Sequence, residues 1–100
     1  MRMEPKDRKQ QIITAAIELA EKHGYQNIKR DAIAEHAGVA AGLVNRYFDN
    51  MHMLRRYIID EAIRTSNLTI IAQGLVAGDK KARATDESVK KRAMKYVTGK

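Results

Sequence analysis

Residues 30–48 read RDAIAEHAGVAAGLVNRYF, and the organisation of the whole chain follows from how this stretch folds. Arg30 to Ala37 has the spacing of a short helix, with Ala32, Ile33 and Ala37 available to pack. Gly38 breaks it, Val39 and Ala40 make a tight turn, and Ala41 to Phe48 gives a second short helix carrying Val44, Tyr47 and Phe48. Ala34 and Ala37 are small enough for the two helices to meet at a steep angle, and Gly38 tolerates the positive φ such a turn needs. Ile33, Val39 and Val44 are expected as the buried wedge between them. Short helix, glycine-bearing turn and short helix form the helix-turn-helix pattern, in which the second helix fits a DNA major groove while the first braces it across the backbone.

Working outward, Lys6 to His23 shows Ile13, Ala16, Ile17 and Ala20 at three- and four-residue steps, widened by Ile12 and Leu19. This predicts a helix of about four turns closed by Lys22, His23 and a left-handed Gly24. Tyr25 to Lys29 reads as a short polar connection. On the other side, Asp49 and Asn50 are N-cap candidates for a helix over Met51 to Arg64, with Leu54, Ile58 and Ala62 on one stripe and Ile59 and Ile63 on a neighbouring one. Thr65 to Asn67 predicts a kink or break before a helical run from Leu68 to Val76, which Gly78 ends. Asp79 to Thr85 reads as a charged loop, and Thr85 or Asp86 caps a last helix reaching Tyr96, with Val89, Ala93 and Val97 at four-residue steps. The fold class expected is all-α: a three-helix, homeodomain-like helix-turn-helix domain over 1–50, then a short C-terminal helical extension over 51–100 with a basic tail.

Composition narrows the function. One hundred residues hold a single modest core and leave no room for a second catalytic domain. There is no Cys, so neither disulfides nor a thiolate zinc site brace the chain. No stretch approaches the roughly 18 apolar residues of a membrane span, and the charged start has no apolar segment behind it, which predicts a soluble, unsecreted, cytoplasmic protein without a membrane partner. His23, His36 and His52 are scattered, and there is no nucleophile elbow, phosphate loop or carboxylate pair. The expectation is no catalysis, no metal and no cofactor. A net charge of +7 favours polyanionic partners.

The segments IITAAIELAEKHGY, RDAIAEHAGVAAGLVNRYF and DNMHML, in this order, carry a resemblance. The region from Lys9 to Leu54 resembles the N-terminal DNA-binding domain of the tetracycline-repressor (TetR) family, with its Ala-Ala first helix, Gly-Tyr, Ile-Ala, Ala-Gly-Val and an aromatic-Phe close to the recognition helix. The resemblance implies a dimeric bacterial or phage regulator, usually a repressor on a palindromic operator in double-stranded DNA. It places recognition-helix contacts on Ala41, Gly42, Leu43, Asn45, Arg46 and Tyr47, and contacts to phosphate or a flanking base on Lys29 and Arg30. Residue chemistry agrees for several. Asn45 can pair bidentately with adenine, Arg46 with guanine or a phosphate, Ala41 and Leu43 can meet thymine methyls, and Tyr47 suits a phosphate.

The chain departs from the family pattern at three places. Ala40, Ala41, Gly42 and Leu43 stand where Ser-Lys-Gly-Thr is common, and Met51 stands where a Lys often meets phosphate, which predicts modest affinity per half-site. Only about fifty residues follow Phe48, too few to enclose a pocket of the ordinary ligand size, about 300–1,000 Å³, so no small-molecule inducer is expected. Leu68, Ile70, Ile71, Leu75 and Val76 either cover the helix over Met51 to Arg64 within the chain or form a homodimer interface, and the interface is the favoured expectation.

Sequence-specific regulation competes with two other functions: a DNA-binding accessory protein of packaging, partition or nucleoid type, and a protein-interaction module that antagonises another regulator. Charge sharpens the question. Residues 1–78 hold 11 basic and 9 acidic side chains, whereas residues 79–100 hold 8 and 3. The motif that identifies DNA and the charge that attracts it lie in different parts of the chain.

Overall fold

A computed structural model describes the backbone of residues 4–98 and side chains as far as Lys95. The described residues form α1 (Pro5–His23), α2 (Arg30–Ala37), α3 (Ala41–Phe48), α4 (Met51–Arg64), α5 (Leu68–Ala77), α6 (Lys80–Arg83) and α7 (Glu87–Thr98), with no strand among them. They divide into two compact units, one ending at Arg56 and the other beginning at Tyr57, so the division falls inside α4.

The first unit is built on α1, whose Pro5 sits at a helix start where its missing N–H costs nothing. Ile12, Ala16 and Ala20 are fully buried, Ile13 and Ala15 nearly so, and Ile17 and Leu19 only partly. At Gly24 the backbone takes φ 93°, ψ 135°. This is an extended conformation at positive φ, not the left-handed helical stop expected, and it suits glycine because other residues lack access to it. Asn27 Nδ2 donates to the His23 carbonyl at 2.7 Å and covers the helix end. The following connection is not simply polar, since Tyr25 and Ile28 are both buried in the core.

Two bonds brace α2 against α1. Gln11 Nε2 donates to the Ala37 carbonyl at 2.7 Å, and His36 Nε2 lies 2.9 Å from Glu18 Oε1. At the end of α2, Gly38 adopts φ 74°, ψ 33°, and Val39 N–H donates to the Ala34 carbonyl at 2.9 Å. That left-handed residue with its reversed hydrogen bond satisfies carbonyls the helix would leave open and turns the chain into α3. Ile33 and Val44 are buried as the wedge, but Val39 is only half-buried and Ala32 is exposed. Phe48 is buried at the end of α3, with Lys9 Nζ 5.5 Å from its ring centroid. Asp49 then takes a positive φ of 35°, and Asn50 Oδ1 accepts from Met53 N–H at 2.9 Å, so Asn50 rather than Asp49 caps α4.

In the second unit Ile58, Ile59 and Ala62 of α4 are buried, and Ile63 partly. The chain breaks rather than kinks after Arg64. Ser66 takes φ 55°, and the Asn67 side chain accepts from Ile70 N–H at 3.2 Å to start α5. Contrary to the expected loop, Lys80 to Arg83 is a helical turn capped by Asp79, which accepts from Lys81 and Ala82 N–H at 2.9 and 3.2 Å. Gly74 makes room for it: a Cβ there would lie 2.8 Å from the Ala82 Cβ and 3.3 Å from Ile59 Cδ1. Asp86, not Thr85, caps α7. It accepts from the Ser88 hydroxyl and, at 3.1 Å, from Ser88 N–H, which holds its carboxyl below the usual carboxylate range. α5 packs against both α6 and α7, and Ala93 is fully buried. Val97 lies outside the described side chains.

Candidate nucleic-acid interface

α3 has one face that the core does not use. Gly42, Asn45, Arg46 and Asp49 are exposed at three- and four-residue steps, while Val44 and Phe48 point inward. Ala41, Leu43 and Tyr47 flank this face and are half-buried. Exposure therefore separates the sequence-predicted residues: Gly42, Asn45 and Arg46 stand free to meet a ligand, whereas Ala41, Leu43 and Tyr47 contribute edges and supporting packing. A Cβ on Gly42 would meet nothing within 4 Å, so the bare backbone there answers no need of the fold.

The start of α3 is also open. Ala40, with φ −71° and ψ 144°, has the extended geometry of an N-cap but supplies no side-chain bond to the helix. The first N–H groups of a helix have no partner of their own and favour an oxygen of a phosphate or another anion.

Lys29 and Arg30 stand at the start of α2, where cations oppose the helix dipole. The fold brings them beside the exposed face of α3: Lys29, Arg30 and Asn45 line one depression together with Asp31, Asp49, Asn50 and Met51. Arg46, Gly42 and the half-buried residues do not line it. Arg30 Nε is 3.4 Å from Asp31 Oδ1, a partly solvated pair of little energetic weight. Two cations and two carboxylates leave the depression close to neutral, so hydrogen bonding to base edges suits it better than a strong field.

Four of its lining residues are not among the contact residues expected from the sequence, although Met51 stands where the resemblance puts a phosphate-binding Lys and Asp49 and Asn50 are expected as helix caps. Asp49 could have been among the contact residues, being four residues after Asn45 on a helix. Asp31 follows Arg30 directly, and Asn50 and Met51 lie just past the turn between α3 and α4, where Asp49 takes a positive φ. Among the described residues no group of three His, Cys, Asp or Glu comes together to hold a metal ion, and no helix is long and apolar enough to cross a membrane.

Comparison with known proteins bears on this region. The family described as bacterial regulatory proteins, tetR family, matches residues 12–58. The chain is 42% identical over 50 residues to the HTH-type transcriptional repressor KstR of Rhodococcus jostii (strain RHA1), and 38% identical over 50 residues to that of Mycolicibacterium smegmatis (strain ATCC 700084 / mc(2)155). Each match covers 49% of this chain and 24% of the relative, so the chain spans about a quarter of the length of these curated relatives. No solved structure matches the chain.

Proposed function

Residues 12–58 are a TetR-family N-terminal helix-turn-helix domain, and from this premise we propose that the chain is a sequence-specific DNA-binding transcriptional repressor. In this reading it occupies an inverted-repeat operator as a homodimer, in the cytoplasm at the nucleoid, and does so without a small-molecule inducer. The observation that carries it is the exposed face of α3, where Asn45 and Arg46 project beside the bare backbone of Gly42. Asn45 pairs with adenine N6 and N7, and Arg46 with guanine O6 and N7. Lys29, Arg30 and Tyr47 hold phosphates and set register, while Ala41 and Leu43 give apolar contact to thymine methyls.

Two recognition helices spaced one DNA turn, about 34–36 Å, are needed to read an inverted repeat, which is why a homodimer belongs to the proposal. The apolar run of α5 contributes less to such an interface than its sequence suggests. Ile70 and Ile71 are buried within the unit itself, leaving half-buried Leu68 and Leu75 and the 68% exposed Val76.

The test is selection of bound duplexes from a random pool by the full chain. An inverted repeat is expected, and Arg46→Ala or Asn45→Ala should cost about 1–3 kcal/mol at one base pair per half-site while leaving weak, salt-sensitive binding. Recovery of no inverted repeat would overturn the reading. Solution size measured with the selected DNA should give two chains per operator; one chain would overturn the dimer.

A further inference from the structure

We propose that α6 and α7 form a second nucleic-acid surface, one that holds duplex phosphates without reading sequence. The segment from Asp79 to Lys95 carries seven basic residues, Lys80, Lys81, Arg83, Lys90, Lys91, Arg92 and Lys95, against three acidic ones. The three carboxylates are committed locally. Asp79 caps α6, Asp86 caps α7, and Glu87 in the first turn of α7 pairs with Lys90 at 2.8 Å. Of the cations, Lys81 reaches Asp60 at 2.7 Å, and Lys90 Nζ also donates to the Arg83 carbonyl at 2.8 Å, tying the end of α6 to α7. Lys80, Arg83, Lys91, Arg92 and Lys95 are exposed.

Helical geometry gathers the last three. Lys91 and Lys95 are one turn apart on the side of α7 opposite the fully buried Ala93, and Arg92 stands exposed on the flank beside them. A basic amphipathic helix also suits an anionic membrane surface, but only when its apolar side is free to enter the lipid. Here that side is occupied: α7 packs on α5, with Ala93 fully buried and Val89 half-buried. Met94, 39% exposed, is the one large apolar side chain on the outward side of α7 among the described residues, too little to enter lipid. The rest is mainly charge, which complements a row of phosphates and gains affinity by releasing condensed counterions. The inference rests on the DNA-binding reading of the first unit only for its choice of ligand.

The test compares the full chain with the triple variant Lys80→Gln, Lys91→Gln, Arg92→Gln, by fluorescence anisotropy on a random-sequence duplex over a range of salt concentrations. Glutamine keeps helix propensity, and circular dichroism verifies that helix content is unchanged. The slope of log affinity against log salt should become shallower by about 0.9 per lost contact, about 2–3 in all, and binding at low salt should weaken by on the order of tenfold or more. The inverted repeat recovered by selection should be the same for both proteins. An unchanged slope in a folded variant overturns the proposal, as does binding to phosphatidylserine vesicles that the variant loses while its DNA binding is intact. Loss of the selected repeat by the variant would overturn the proposal too, since α6 and α7 would then read sequence. Failure of the full chain to select any repeat, with the slope effect present, would count against the recognition helix alone, so the two readings fail separately.

Discussion

The two units share one means of packing and differ in a second. In the first, branched and aromatic side chains fill the space, with Ile12, Ile33, Val44, Phe48 and Leu54 buried between helices braced by side-chain bonds to backbone. In the second, Ile58, Ile59, Ile70 and Ile71 fill the space likewise, and close approach is added to them, since Gly74 lets the Ala82 turn sit where any Cβ would collide. The surfaces differ in parallel: a near-neutral, hydrogen-bonding face on α3 against a cationic face on α7. On the two proposals above, reading bases and holding phosphates fall to different units of one chain. Reading bases asks for a few rigidly held polar groups, whereas holding phosphates asks only for cations on a stable helix.

The largest expected effect tests whether the units are separate in stability as well as in surface. Ile33 is fully buried between α2 and its neighbours, and Ile33→Ala should cost about 2–5 kcal/mol. Hydrogen exchange should then show lost protection in α1 to α3, with α5 and α7 amides keeping theirs. A uniform fall across all helices would mean one cooperative unit and would break the comparison. The matching change in the second unit is Gly74→Val, which places two further methyls against Ala82 and Ile59 and should cost about 2–3 kcal/mol. Its protection loss should fall on α5 and α6. Full protection there would mean that α6 docks without needing the glycine.

The first unit was the more legible in sequence, and for a physical reason. Its helices end on local signals: Gly38 with its left-handed turn fixes the boundary of α2 and α3, and Asn50 starts α4. Both α2 and α3 therefore fall on the residues expected. Tyr25 and Ile28 were not legible as core, because they lie in a connection where no periodicity reports which side faces inward. The candidate site was legible as a set of residues on α3 and at the start of α2. Its depression was not, because Asn50 and Met51 join it just past the positive φ of Asp49, which nothing in the local sequence announces. In the second unit α6 was hidden by its charge. A helix of four residues shows no apolar period, and only Gly78 followed by Asp79, a stop and then a cap, marks its start. The apolar run of α5 misled in the other direction: Ile70 and Ile71, expected at an interface between chains, are consumed by the unit's own core.

A smaller effect tests the entry to α5. Asn67→Ala removes the acceptor for Ile70 N–H and should cost about 0.5–2 kcal/mol. Ser66 holds a positive φ immediately before it, and Asn67 N–H donates to the Ala62 carbonyl at 2.7 Å, so backbone bonds and the cap together make the break. A denaturation midpoint unchanged within error would mean that α4 and α5 simply join into one helix when the cap is lost, and circular dichroism would register the added helicity.

The smallest change in stability separates folding from function most sharply. Glycine inside a helix costs about 0.5–1 kcal/mol relative to alanine, and at Gly42 the structure gives nothing in return, since an added Cβ meets no atom within 4 Å. Gly42→Ala should therefore raise stability by about 0.5–1 kcal/mol, read as a higher denaturation midpoint. If the exposed face of α3 meets a duplex closely, the same methyl has to fit between backbone and DNA, and affinity for the selected repeat should fall while affinity for random duplex, carried by α6 and α7, stays the same. A variant that is more stable and reads its repeat less well would identify Gly42 as a residue kept for its surface and not for its fold. A variant more stable and equally able to read DNA would move the point of closest approach away from Gly42, toward Asn45 and Arg46 one turn further along the same face.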